Sequence, residues 1–405
     1  HERSPSRVTS ACRLTSSCSA PMREAWARKY ANWSRRPSGW YDAAKSVSAT
    51  YAPASNATGR MPPVVTSATS TNGALTLGFA LLVYYRGSWR DYLACGAMAG
   101  LAAGTKYNAG LVVLSLAAAH FLRASSERPE PAGGGVRQLL PLLAGLGAFI
   151  VAFAVSTPAA IFKAGDVWNG IQYEMRHASE GHGLVFAGTG NGFVFTFTSS
   201  LWYGLGPALA ILFVAAAIYG LVRLDRRALV ILAFAVPYYA LISLSQVRFA
   251  RYTLPLYPAV ALLIAWMVID VMARLHSRVY SRVLQGLLAI ILAGTLLYTV
   301  ALDGLFVQRP PQDRASGMIR KSIPPGRDSI GILEVPWFYS PPYSEAAGFG
   351  SLQLREQAMA ASRYQLKLLQ DVQGTWPRWV VFADYEVADA ERLRDSEIIA
   401  QADRD

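Results

Sequence analysis

Lys106 interrupts the mostly apolar stretch 93–122, within the local sequence TKYN. A lysine inside an apolar membrane segment costs about 2.5–3.5 kcal/mol, so it is usually retained for a partner or a substrate. The alternative is that its long side chain reaches the membrane surface, where it costs little. We predict a functional role for Lys106.

Arg248 and Arg251 lie in the sequence SQVRFARYTLPLYP, between two later apolar runs. Their spacing of three residues would point both guanidiniums the same way on a helical turn, an arrangement suited to clamping a phosphate. The alternative is contact with lipid headgroups. We predict that this pair binds an anionic ligand.

The segment 163–199 concentrates acidic, basic and histidine side chains between apolar runs: Asp166, Glu174, Arg176, His177, Glu180 and His182. Carboxylates and imidazoles are common general acids and bases, so Glu174, His177, Glu180 and His182 are catalytic candidates. A divalent metal is the alternative ligand, but two histidines spaced this way do not form a recognised zinc pattern. The glycine-rich end GTGNG follows no predicted strand and is not a dinucleotide fingerprint.

Apolar runs occupy the middle of the chain, at 64–85, 93–104, 107–122, 139–162, 200–222, 228–246, 254–273 and 283–305. Most are near the length needed to cross about 30 Å of hydrocarbon. The composition agrees, with 53% hydrophobic and 16% charged residues, against about 25% charged in soluble domains. We predict an all-α polytopic membrane bundle over 64–306, with about seven or eight transmembrane helices.

The arginines predict which loops share a side of the membrane. The loops 86–91, 123–138, 223–227 and 274–282 contain eleven arginines together, and short basic loops face the cytoplasm. Two crossings must therefore separate the first two loops, so 93–122 is predicted to be a hairpin of two short helices meeting at Lys106. Five Lys and Arg residues then lie outside, and the C-terminal tail emerges there.

The two flanking regions differ from the middle. Residues 1–63 hold ten Lys and Arg against three acids and show no apolar period, so we predict a disordered or non-native, wrong-frame segment. Residues 307–405 contain the strand-like sequences SIGILEVP and RWVVF, the second followed by a charged helix, which predicts a small extracytoplasmic α/β domain.

Charge and cysteine content exclude other classes of protein. The net charge of +12 is divided among the N-terminal segment and short loops, so no nucleic-acid partner is expected. Cys12, Cys18 and Cys95 have no metal-ligand spacing and imply no disulfide framework.

Two segments carry a family resemblance: GLAAGTKYNAGLVVLSLAAAHFL at 100–122 and RFARYTLPLYPAVALL at 248–263. In order and spacing they resemble glycosyltransferase family 39 and its GT-C relatives, which include bacterial lipid A aminoarabinose transferases and protein O-mannosyltransferases. The segment QDRASGMIRKSIPPG at 312–326 is similar to the one after the last span in many bacterial members.

The resemblance implies a multi-pass enzyme of the plasma (inner) membrane that acts on the extracytoplasmic face. It would transfer a hexose or pentose, with inversion, from a polyprenyl-phosphate carrier to a lipid, glycan or protein acceptor. The residues that would hold the carrier phosphate are Lys106, Tyr107, Arg248 and Arg251. No cofactor is implied, and a divalent metal remains an open alternative.

One family feature has no counterpart in this sequence. Members carry an acidic residue or pair in the first outer loop as the catalytic base, whereas 1–63 contain only Glu2, Glu24 and Asp42. The chain begins with His1, so we expect an N-terminally truncated form that is inactive as it stands. A transporter or lipid flippase is the alternative function, although such proteins usually show an internal repeat; a scaffold is a third.

Overall fold

The computed structural model describes residues 11–13, 63–124, 135–181, 186–326, 328–333, 335–336, 340–343, 352–372, 375–383, 386 and 392. The chain divides into two compact units. One unit spans 61–301, and the other combines 1–60 with 302–405.

The first unit is built almost entirely of helices. These are α1 (Pro63–Arg86), α2 (Trp89–Thr105), α3 (Val113–Ala124), α4 (Gly135–Ser156), α5 (Ala159–Phe162), α6 (Ala164–Glu180), α7 (Gly192–Phe195), α8 (Trp202–Leu205), α9 (Pro207–Arg223), α10 (Arg226–Leu244), α11 (Tyr257–Arg274) and α12 (Arg278–Val307), whose last turns belong to the second unit. Two 3-10 segments, Tyr107–Val112 and Ala250–Leu256, and a π-helical segment, Thr196–Leu201, interrupt them.

Four helical stretches in the described part of the chain are long and apolar enough to cross a membrane: Arg137–Ser156, Arg226–Leu244, Ala250–Arg274 and Arg278–Leu305. This is fewer than the seven or eight that were predicted. The remaining apolar runs are divided into shorter helices or diluted by polar residues. Gly206, at a φ of +81°, directly precedes α9 and limits it to 17 residues. The first half of α1 contains several polar residues and reads PVVTSATSTNGA.

Helices α2 and α3 form an antiparallel hairpin that reverses at Lys106. Helix α2 ends at Thr105, and Lys106 has an extended backbone conformation before the next 3-10 segment begins. At the far end of the hairpin, the Tyr92 hydroxyl and Nδ1 of His120 form a hydrogen-bonded pair 2.8 Å apart. The predicted hairpin of two short helices over 93–122 is therefore confirmed.

Glycines let α2 lie directly against α4. A Cβ added to Gly96 would lie 1.8 Å from the Gly145 carbonyl oxygen, and one added to Gly100 would lie 2.3 Å from the Phe149 carbonyl oxygen. A Cβ at Gly104 would lie 2.1 Å from Oγ of Ser156. Because these contacts advance together along both helices, α2 and α4 run parallel. Small residues repeated every four positions permit this close backbone approach.

The arginine-rich loops meet at the end of the unit opposite Lys106. Arg123 donates from Nη1 to the Tyr84 carbonyl at 3.4 Å, which brings the end of α3 to the end of α1. Arg227 interacts with the hydroxyl of Tyr85, and the Asp225 carboxylate pairs with the Arg227 guanidinium at 2.7 Å.

Asp270 connects the loop 274–282 to the end of the unit opposite Lys106. Its carboxylate accepts from the Tyr219 hydroxyl at 2.7 Å and pairs with Arg274 at 2.8 Å and with Arg227 at 3.8 Å. The described parts of all four loops that the sequence placed on one side of the membrane therefore lie at one end of the first unit.

The second unit contains a four-stranded sheet in the order β1-β4-β2-β3. The strands are β1 (Ala11–Arg13), β2 (Ser329–Ile332), β3 (Gln365–Leu368) and β4 (Trp379–Val381), and the helices are α13 (Pro311–Ser322) and α14 (Leu352–Ala360). Strand β2 pairs in parallel with β3 and β4, whereas β1 pairs antiparallel with β4. Ile319, Ile330 and Tyr343 belong to its core.

Strands β2 and β4 fall within the two sequences that predicted strands, SIGILEVP and RWVVF. The sequence did not predict β1, which lies in the segment expected to be disordered or non-native. The rest of that segment, apart from Pro63, and most of the charged stretch after β4 lie outside the described residues.

Two glycines of α4 provide a matched test of the close helix contact. A Cβ at Gly145 would lie 2.9 Å from the Tyr92 carbonyl oxygen and from a Leu116 methyl carbon, whereas one at Gly147 meets nothing within 4 Å. We expect Gly145→Ala to cost about 1–3 kcal/mol through overpacking, with Gly147→Ala neutral or stabilising by up to about 1 kcal/mol. Thermal unfolding in detergent measures both, and equal midpoints would contradict this packing.

Candidate functional site

The tip of the α2–α3 hairpin lies beside the 3-10 segment Ala250–Leu256. The Thr69 hydroxyl of α1 is 3.1 Å from the Thr105 hydroxyl at the end of α2. The next residue of α1, Ser70, donates to the Leu254 carbonyl at 3.3 Å. Helix α1 therefore connects Lys106 to the segment that carries the second predicted arginine.

Lys106 and Arg251 share one aromatic ring, that of Tyr252. Nζ of Lys106 lies 4.2 Å from the ring centroid, and Cζ of Arg251 lies 5.7 Å from it. The two cations are therefore no more than about 10 Å apart, the sum of these distances. Arg251 also lies 4.1 Å from the Phe249 ring, and the Tyr238 hydroxyl holds the Tyr252 backbone by donating to its carbonyl at 2.9 Å.

Glu174 of α6 adds a carboxylate to this group. Lys106 lies in the break between two helices, where burial lowers the pKa of its ammonium group to about 8. The Arg251 guanidinium also lowers that pKa, while the Glu174 carboxylate acts in the opposite direction. Glu174 lies within electrostatic range of the Tyr107 and Tyr252 hydroxyls as well. The Glu174 carboxylate therefore acts electrostatically on Lys106 and on both tyrosines.

The last turn of α6 is fixed to the chain that follows α10. The Ala178 carbonyl accepts from the backbone N–H of Gln246 at 2.7 Å and from the Ser245 hydroxyl at 3.3 Å. These contacts fix the last turns of α6, which carry Glu174, to the segment between α10 and α11.

The other catalytic candidates have different surroundings. The His177 ring is half-buried and stacks on Tyr173 with centroids 6.0 Å apart. Glu180 is exposed, as Glu174 is, but it lies at the end of α6, and His182 lies outside the described residues. Among the described residues, Glu174 is the carboxylate that acts on the Lys106 ammonium.

Arg248 holds the turn that precedes α7. Its Nη1 donates to the Thr189 hydroxyl and to the Gly190 carbonyl, both at 2.8 Å, and its Nε donates to the Ser245 carbonyl at 3.4 Å. Its Cζ lies 5.6 Å from the Phe195 ring. These contacts use the guanidinium to fasten the turn before α7.

The predicted helical turn that would align Arg248 with Arg251 is wrong. The 3-10 segment begins at Ala250, and the residues just before it are not helical. The two guanidiniums therefore contact different groups, Arg248 the turn at 189–190 and Arg251 the rings of Phe249 and Tyr252. Arg251 and Lys106 are the two predicted cations that share a ring.

Phe249 and Tyr252 were not among the site residues predicted from the sequence. Both rings alternate with the arginines in the sequence RFARY, a pattern that suits cation–π contacts. That alternation was the available signal.

No group of three or more His, Cys, Asp or Glu side chains is placed to hold a metal ion in the part of the chain that the structure describes. No family model matches this chain, and searches of curated proteins and of solved structures find no match for it.

The two arginines should respond differently to truncation. Arg248→Ala removes three hydrogen bonds, so we expect a lower unfolding temperature and faster proteolysis near the turn at 186–190. Arg251→Ala removes an exposed side chain and should leave both measurements near the wild-type values. An equal loss of stability in both variants would contradict this division of roles.

Proposed function

We propose that this protein is a membrane glycosyltransferase of the GT-C type, which transfers a sugar from a polyprenyl-phosphate carrier to a lipid, glycan or protein acceptor. The observation that carries the proposal is the placement of Lys106 and Arg251 around the Tyr252 ring, at one end of a helical unit with apolar helices of membrane-spanning length. The motifs at 100–122 and 248–263 support the same assignment.

The two cations suit a phosphate that must leave with negative charge. When the bond between the anomeric carbon and the phosphate oxygen breaks, that oxygen keeps the electron pair. Lys106 and Arg251 would stabilise this charge, and the planar guanidinium would bind two phosphate oxygens at once. Tyr107, exposed beside Lys106, would donate a further hydrogen bond.

Glu174 is the base that we propose for the acceptor. Its carboxylate would take the proton from an acceptor hydroxyl as the acceptor oxygen forms its bond to the anomeric carbon. The carrier phosphate leaves from the opposite face of the sugar, so the configuration inverts. This assignment gives the described chain a base and replaces our expectation that it is inactive.

The distribution of charge supports an outward-facing site. The arginine-rich loops lie at the end opposite Lys106, and such loops face the cytoplasm. We propose that α1, α2, α3 and α9 cross the plasma membrane together with the four longer stretches, giving eight crossings. The second unit then follows α12 on the extracytoplasmic side.

Reporter fusions test this orientation. Alkaline phosphatase fused after residue 320 should be active, because it folds only outside the cytoplasm, and the same reporter after residue 225 should be inactive. A fluorescent protein that folds only in the cytoplasm should give the reverse pattern. Phosphatase activity at 225 alone would place the Lys106 site in the cytoplasm.

A pair of glutamates on α6 tests the proposed base. In proteoliposomes with a polyprenyl-phosphate-linked hexose or pentose, Glu174→Gln should lower the transfer rate by about 100-fold or more, since general bases contribute that much. Glu180→Gln, on the same helix and exposed, should transfer at the wild-type rate. Polyprenyl-phosphate binding should survive both substitutions, because Lys106 and Arg251 remain.

The same assay separates the transferase from a lipid flippase. A transferase releases polyprenyl phosphate and labels an acceptor, whereas a flippase moves the intact carrier between leaflets. Carrier movement without release, unaffected by Glu174→Gln, would contradict the proposed reaction.

A further inference from the structure

Helix α6 exposes large apolar side chains along one side. Trp168 and Met175, seven residues apart and so two turns along the same side, are 58% and 61% exposed. Ile171 lies between them and is half-buried. Just before α6, Ile161 and Phe162 of α5 are also exposed.

The remaining sides of α6 have a different character. Asn169, Arg176 and Glu180 are exposed and polar and lie away from the Trp168 side. The side that carries Glu174 and Ala178 is fixed toward the candidate site. Helix α6 thus has an apolar side, a polar side and a side that packs against the rest of the unit. An apolar side and a polar side on one helix are typical of helices that lie in a membrane interface.

Both ends of α6 are attached next to the ends of membrane-length helices. Its N-terminus follows the stretch Arg137–Ser156 through the single turn of α5. The backbone N–H of Lys163 donates to the Ala159 carbonyl at 2.8 Å. Its last turn is bound to Gln246, two residues after the stretch Arg226–Leu244 ends. Both stretches end on the Lys106 side, so α6 connects two points at one membrane surface.

We propose that α6 lies in the lipid–water interface on the Lys106 side, with Trp168 and Met175 inserted at the boundary between headgroups and acyl chains. A helix of 17 residues is about 26 Å long, so it covers this surface between the two helix ends. The proposal does not depend on glycosyl transfer.

Apolar burial rather than charge holds the helix to lipid. Arg176 is accompanied by Asp166 and Glu180 on the water side, so α6 lacks the cluster of cations that selects anionic lipids. Insertion should therefore be the same in phosphatidylcholine vesicles with and without phosphatidylglycerol.

Spin labels at four positions of the full chain test the proposal. Cys12 and Cys18 are replaced by Ser, and buried Cys95 is kept. Single cysteines then replace Trp168, Met175, Asn169 or Arg176, and the labelled proteins are reconstituted in phosphatidylcholine vesicles. We expect oxygen to reach the labels at 168 and 175 more readily than a water-soluble nickel chelate does, with the reverse at 169 and 176.

Two results would overturn the proposal. Preferential nickel access at 168 and 175 would place that side of the helix in water, and low access to both reagents would show that protein covers it. A measurement without labels guards against disturbance by the cysteines. Part of the tryptophan fluorescence should be quenched by lipids that carry bromine near the headgroup, and Trp168→Phe should remove that part. Retention of the full quenchable emission in that variant would also count against insertion.

Discussion

The close contact between α2 and α4 is the constraint on which the candidate site depends. Three glycines of α2 meet α4 at successive levels, and the last of them, Gly104, reaches Ser156 where α4 ends. Lys106 follows Gly104 by two residues, so the reversal of the hairpin and the end of α4 lie at the same level. Helix α6 starts from that level and carries Glu174, whose carboxylate acts electrostatically on the lysine. A larger residue at these glycines would separate the two helices and displace Lys106 from the end of α4.

The second support of the site is the short segment between α10 and α11. Its 3-10 geometry turns Tyr252 toward Lys106, while Tyr238 and Ser70 hold the segment through its backbone carbonyls. Burial is the main cause of the lowered pKa of Lys106, and repulsion by the Arg251 guanidinium around the same ring adds to it. One carboxylate balances only part of that charge. Under the proposed function, the carrier phosphate would supply the remaining negative charge between Lys106 and Arg251.

Several features of this arrangement could be predicted from the sequence because they follow from global constraints. The arginine loops must share a side, and this required the chain to reverse at Lys106, as it does. The relation between Arg248 and Arg251 depended instead on local backbone conformation. A spacing of three residues implies a shared direction only on a helix, and the chain is extended up to Phe249. The choice of Glu174 from four candidates required tertiary contacts, namely the bonds that fix Ala178 beside Ser245.

Fewer of the described helices reach membrane-spanning length than the apolar runs predicted, for a related reason. Apolar runs were counted by length, but Gly206 and the polar first half of α1 shorten or dilute the helices that form. Strand β1 was beyond prediction because three residues of a polar segment pair with a strand more than three hundred residues away. Pairing at such separation leaves no periodic signal in the sequence.

The position of Lys106 relative to the membrane surface bears on the kind of substrate that the site would bind. Lys106 lies near the ends of the long helices, and α6 crosses the same level with one side toward lipid and another toward the lysine. A soluble anion would approach such a site from water, whereas the phosphate of a lipid carrier already lies at the headgroup level. Its polyprenyl chain would remain in the bilayer beside Trp168 and Met175 while the sugar faces water. Under the proposed function, the phosphate of the substrate would be held at the interface by its own lipid chain, and Lys106 and Arg251 would need only to select among groups presented at that depth.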